Sequence, residues 1–125
     1  MIHKLFIAWA LVMLLLAQQQ AVPNKEYSAD RFDASITAQE GGSLIVTETV
    51  AFKFVGGPYT FVFRDIPTDK TDGISILSAG MDHQTLQDGT GAGQVEINYG
   101  NPVKVTWHFA PVSDCLLYTS DAADE

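Results

Sequence analysis

Between Arg31 and Ala110 the chain alternates apolar and polar residues one by one, in short runs closed by glycine, proline or aspartate. A period of two belongs to a half-buried strand, whose successive side chains point to opposite faces. Phe32, Ala34, Ile36 and Ala38 share one face of a first strand, with Asp33, Ser35, Thr37 and Gln39 opposite. Glu40-Gly41-Gly42 supplies a tight hairpin. Leu44, Val46, Val50, Phe52 and Phe54 then line a long second strand, interrupted by Glu48. Gly56-Gly57-Pro58 breaks that strand, and Tyr59 to Phe63 resumes as a third.

Residues 65–73 read as a loop, Ile74 to Ala79 as a fourth strand and Met81 to Leu86 as a weak fifth with a polar turn. A flexible glycine-rich connection, 88–93, leads to a final pair, Gln94 to Tyr99 and Val103 to Ala110, across Gly100-Asn101-Pro102. Val103, Val105, Trp107 and Phe109 face one way. About seven short strands, with turn signals every eight to twelve residues and no helical pattern after residue 22, predict an antiparallel immunoglobulin-like β-sandwich.

Both ends depart from this pattern. Residues 1–21 hold a positive start at Lys4, an unbroken apolar run from Leu5 to Ala17, and a glutamine-rich stretch ending at Ala21. Thirteen helical residues would span about 20 Å, short of the roughly 30 Å hydrocarbon core. The segment therefore reads as a signal peptide or signal anchor forming an N-terminal signal helix, and places the chain in the export pathway. Residues 115–125, Cys-Leu-Leu-Tyr-Thr-Ser-Asp-Ala-Ala-Asp-Glu, resemble the in-frame translation of a common transposase sequencing adapter. They are expected to be an artefact outside the fold, leaving 22–114 as an incomplete extracytoplasmic domain. Setting the tail aside removes the only cysteine of the 125-residue chain, Cys115, and with it thiol catalysis and disulfides. A core this small excludes a Rossmann fold, a TIM barrel or a two-domain enzyme. The net charge of −8 repels phosphate backbones, so nucleic acid is not an expected partner.

Several segments then occur in a distinctive order: Tyr27-Ser-Ala-Asp-Arg-Phe32, Gly42-Ser-Leu-Ile-Val-Thr-Glu-Thr-Val50, Gly56-Gly-Pro-Tyr-Thr-Phe-Val-Phe-Arg64, Ile66-Pro67, Thr71-Asp-Gly-Ile74, Gly89-Thr-Gly-Ala-Gly93 and Val105-Thr-Trp-His-Phe109. Together they resemble the N-terminal domain of the DUF2207 family of predicted bacterial and archaeal membrane proteins. The resemblance implies an architecture: a signal sequence, an extracytoplasmic β-sandwich, one or more transmembrane helices and a variable cytoplasmic end. It implies at least one further strand and a membrane anchor beyond residue 114. It carries over no catalytic or binding residue, because the family has no established activity.

The residues themselves offer few sites. Asp65, Asp69 and Asp72, beside Thr68 and Thr71, could supply oxygen ligands to a hard cation, although aspartates are equally the ordinary residues of turns. Glu48 is the one polar residue on an apolar strand face. It needs a partner such as Arg64 if buried, would act as a general acid or base if unpaired, and reads more simply as marking a strand end, a bulge or a solvated sheet edge. His83 and His108 lie in no ligand-spaced motif. Ser43, Ser75, Ser78 and Ser113 lack a nucleophile elbow. Tyr59, Phe61, Phe63 and Trp107 read as the faces of core strands, with a stacking surface for carbohydrate or peptide as the alternative.

The expected function is a non-catalytic extracytoplasmic domain that senses, binds or scaffolds for a membrane protein. It needs no cofactor. Its expected partners are the membrane, through the leader and a following anchor, and an unidentified protein or envelope ligand. The rival is a cell-envelope hydrolase using Glu48 or the Asp65–Asp72 loop. A third expectation is that a domain lacking its final strand captures another chain along the unpaired sheet edge.

Overall fold

A computed structural model describes residues 25–125. The leader, with its signal helix, lies outside the described residues. Within them the chain is all β, as the alternation predicts, and no helix is long and apolar enough to cross a membrane.

The strands are β1 (Glu26–Ala38), β2 (Leu44–Val55), β3 (Tyr59–Ile66), β4 (Ser75–Met81), β5 (Gln84–Thr85), β6 (Gln87–Asp88), β7 (Gln94–Asn98), β8 (Val103–Val112) and β9 (Leu116–Asp124). They form two sheets, one ordered β1-β2-β9-β4-β5 and the other β3-β8-β7-β6. All pairs are antiparallel except the short parallel β6–β7 pair. The β1–β2 hairpin closes where predicted. Gly42 has a positive φ of 89°, which a glycine adopts without steric cost, and its N–H donates to the Gln39 carbonyl at 3.0 Å.

β1 begins five residues earlier than the alternation suggests. A bulge at Asp30 shifts the register between Ala29 and Arg31. One extra residue reverses the odd–even pattern, so Tyr27 and Ala29 share the inner face with Phe32, Ala34 and Ile36. Simple alternation could not carry the strand through that break.

The core fills the space between the sheets. Val103, Val105, Trp107 and Phe109 of β8 meet Val62 and Ile66 of β3 and Val95 of β7 on one side. Phe54, Ala79, Leu117 and Ala123 close it from the other sheet. β2 lies across from β3: the rings of Phe54 and Tyr59 stack at 4.5 Å between centroids. The β2–β3 connection passes tightly against the end of β8. A Cβ on Gly57, at φ 151°, would strike the Ser113 hydroxyl and come within 2.8 Å of the Val112 carbonyl oxygen.

One expectation is corrected outright. Residues 115–125 do not lie outside the fold. β9 occupies a central position between β2 and β4, paired along nearly its whole length with β2, from Ile45 opposite Asp124 to Lys53 opposite Leu116. The physical reason is in the segment itself: Leu117, Thr119, Asp121 and Ala123 recur with period two and are buried, at 2–5% exposure. Both ends are fastened. Phe54 donates its N–H to the Cys115 carbonyl at 2.9 Å, and Leu44 and Glu125 exchange backbone hydrogen bonds of 2.9 and 2.8 Å. Whatever its coding origin, the segment completes the sheet.

Candidate functional site

Glu48 sits on the inner face of β2, and Asp121 lies directly opposite it on β9. Cross-strand neighbours of one face stand about 5 Å apart at Cβ, so two carboxylates here repel. Arg64, on the inner face of β3, reaches across from the other sheet. Its Nε donates to Glu48 Oε2 at 3.0 Å and its Nη2 to Oε1 at 3.1 Å, a bidentate fork. Its Nη1 donates to the Asp65 carbonyl at 3.1 Å, and its guanidinium carbon lies 5.5 Å from the centre of the Phe32 ring.

The electrostatics are uneven. The hydrogen bonds that Arg64 donates to Glu48 raise the Arg64 pKa above its ordinary value despite partial burial, so the guanidinium stays charged. Asp121 shares in this only weakly. Burial pushes its carboxyl up to about 7, and the charge of Glu48 adds to the rise, while Arg64 pulls the other way. The cluster is therefore one satisfied ion pair with a second, poorly compensated carboxyl beside it. Arg64, expected as the partner of Glu48, is found there. Asp121 was missed because its segment was set aside; its period-two pattern was the available signal.

The structure scatters the other candidates. Asp65 points outward from β3 opposite Lys104, with 4.0 Å between Oδ1 and Nζ. Asp69 accepts a 2.8 Å hydrogen bond from Asn101, whose side-chain oxygen in turn accepts from the Thr68 N–H, tying the loop to the β7–β8 turn. Asp72 is exposed. Among the described residues no group of three or more His, Cys, Asp or Glu side chains is placed to hold a metal ion. His108 pairs with Glu96 at 3.0 Å on the outer face of the β7–β8 pair, and this bond, with one from Asn98, lowers the Glu96 pKa. His83 is exposed and stacks on Tyr118 at 6.5 Å. The glycine-rich connection is hydrogen-bonded rather than loose: Gly89 donates to the Val95 carbonyl and Gly93 to that of His108, both at 2.8 Å.

The aromatic group divides. Trp107 is core, only 1% exposed. Phe61 and Phe63, expected inside, stand on the outer face of β3 at 52% and 48% exposure, because Val62, Arg64 and Ile66 take the inner positions. Lys104 covers Phe63 at 4.5 Å.

Two concavities open among the described residues. One, of about 410 Å³, lies between β4 and β7 and is bounded by Leu86, Asp88 and Tyr99. The other, of about 460 Å³, opens between β1 and β3 and is walled by Lys25, Tyr27, Phe52, Phe54, Tyr59 and Phe61 among others. Glu48, Arg64 and Asp121 line neither.

A family model described as "Predicted membrane protein (DUF2207) N-terminal domain" matches residues 28–123, which include nearly all of β9. No curated protein and no solved structure matches the chain.

Proposed function

The chain belongs to the DUF2207 N-terminal domain family of predicted membrane proteins, and from that membership we propose a non-catalytic, extracytoplasmic binding or scaffolding domain carried by a membrane protein. The observation that carries this reading is the open side between β1 and β3. There an aromatic-walled groove of about 460 Å³ adjoins an apolar strand face whose residues are all exposed. Contiguous exposed apolar surface is characteristic of a docking site. The signal-like sequence pattern of residues 1–21 supports the extracytoplasmic side.

The hydrolase alternative needs Glu48 free and open to a substrate. Its carboxylate is instead held by both arms of the Arg64 fork, and neither groove reaches it. The Asp65–Asp72 loop spends Asp69 on holding Asn101.

The test is retention of the exported chain on isolated cell envelopes, with sidedness read from a Thr37→Cys variant in a Cys115→Ser background and a membrane-impermeant thiol reagent on intact cells. Tyr27→Ser combined with Phe61→Ser, both exposed positions, is expected to reduce retention, and Glu48→Gln to leave it unchanged. Labelling only after lysis, or an envelope-hydrolysing activity that Glu48→Gln abolishes, would overturn the reading.

A further inference from the structure

The two sheets are offset by one strand. β2 lies across from β3, so β1, the neighbour of β2, lies across from a position beside β3 that no strand occupies among the described residues. Three observations mark that position as an acceptor. All thirteen residues of β1 are exposed, including the inner-face residues Tyr27 at 69%, Phe32 at 51% and Ile36 at 65%. β1 and β3 are both terminal strands of their sheets, each with one edge that has no strand neighbour among the described residues. The two also run in the same direction, since Tyr27 meets Tyr59 at their starts, 6.3 Å between ring centres, and Phe32 meets Arg64 farther along.

An overhang of one strand on one sheet and a gap of one strand on the other are complementary to each other. We propose that this face is filled by a second copy of the chain, rotated about a two-fold axis parallel to the strands. The rotation exchanges the levels of the two sheets. β1 of each copy enters the gap beside β3 of the other, and the two bare β1 faces pack against one another. The contact is isologous and closes, with every free edge on that side paired.

Tyr27, Phe32 and Ile36 are each at least half exposed along a strand roughly 43 Å long, so the two-fold buries a long apolar strip on each copy and adds the β1–β3 edge pairing on both sides. The inference rests on the scaffolding reading and names its partner.

Sedimentation velocity on the full chain, compared with two variants of one strand, tests it. Ile36→Lys puts a charge on the packed face and Thr37→Lys puts one on the outer face. Both positions are exposed in the single copy, so neither substitution threatens its folding. The wild-type chain and Thr37→Lys are expected to sediment as dimers, and Ile36→Lys as a monomer with its dissociation constant raised at least about 100-fold, since the two-fold buries two unpaired charges. A monomeric wild type, an association that survives Ile36→Lys, or open-ended growth instead of a dimer each overturn the proposal. A monomer still retained on cell envelopes would remove this inference and leave the binding reading in place.

Discussion

β8 and β9 occupy equivalent places, each an inner strand of its sheet with a hydrogen-bonded neighbour on both sides. Their inward residues differ. β8 presents Val103, Val105, Trp107 and Phe109, none more than 6% exposed, and every one apolar. β9 presents Leu117, Thr119, Asp121 and Ala123, equally buried but with a hydroxyl and a carboxyl among them. Position in a sheet decides how far a side chain is buried; the sequence decides whether it belongs there. β8 meets both conditions. β9 meets the first and violates the second at Asp121, where an acid faces another acid across the ladder.

The strongest way to break the comparison is to remove one member. A chain ending at Asp114 loses β9 from between β2 and β4 and takes Leu117 and Ala123 from the core. Cooperative unfolding is expected to disappear, as read by urea titration followed by tryptophan fluorescence. A sharp transition in that shortened chain would mean that β9 only decorates the fold.

Single substitutions sharpen it, because equivalent positions should respond with opposite signs. Trp107→Ala empties a fully buried site and is expected to cost about 3–5 kcal/mol in urea unfolding. Asp121→Val keeps the burial and removes the charge, and is expected to stabilise by about 1–3 kcal/mol. Loss of stability in Asp121→Val would show that its carboxyl is needed by Arg64.

A pH dependence of similar size follows from the same carboxyl. Asp121 titrates near 3.9 when unfolded and near 7 in the fold. Between these values the folded state holds the extra proton, so stability is greatest below the lower value and is lost as pH rises through the upper one. At about 1.4 kcal/mol per tenfold change, the loss is at most about 4 kcal/mol. The native chain is therefore expected to be more stable at pH 5 than at pH 8, and Asp121→Asn to flatten that slope. Glu96, whose pKa is lowered, acts in the opposite sense, losing its contribution only as pH falls through the carboxylate range, below this window.

Much of this was legible in the residues. Alternation placed the hairpin, the long second strand and the β8 core, and an isolated acid on an apolar face pointed from Glu48 to Arg64. The rest failed for identifiable reasons. The bulge at Asp30 hid the start of β1 by reversing its parity. Three alternating aromatics in β3 suggested a core face, while the true inward set was Val62, Arg64 and Ile66. In residues 115–125 the resemblance to an adapter overrides a period-two pattern that Leu117, Thr119, Asp121 and Ala123 satisfy. Nothing in the sequence could announce the one-strand offset, which depends on how two sheets stack.

The connectivity of β1, β2 and β9 has a mechanical consequence. Residue 26 enters the sheet beside Val55, and residue 124 leaves it beside Ile45, at opposite poles of β2. Tension applied at the two ends would run along the strand axes and shear β1 and β9 past β2. The hydrogen bonds on both flanks of β2 would then be strained together, where a pull across the strands would open them one after another. A domain attached in this way would transmit force between its poles without unzipping.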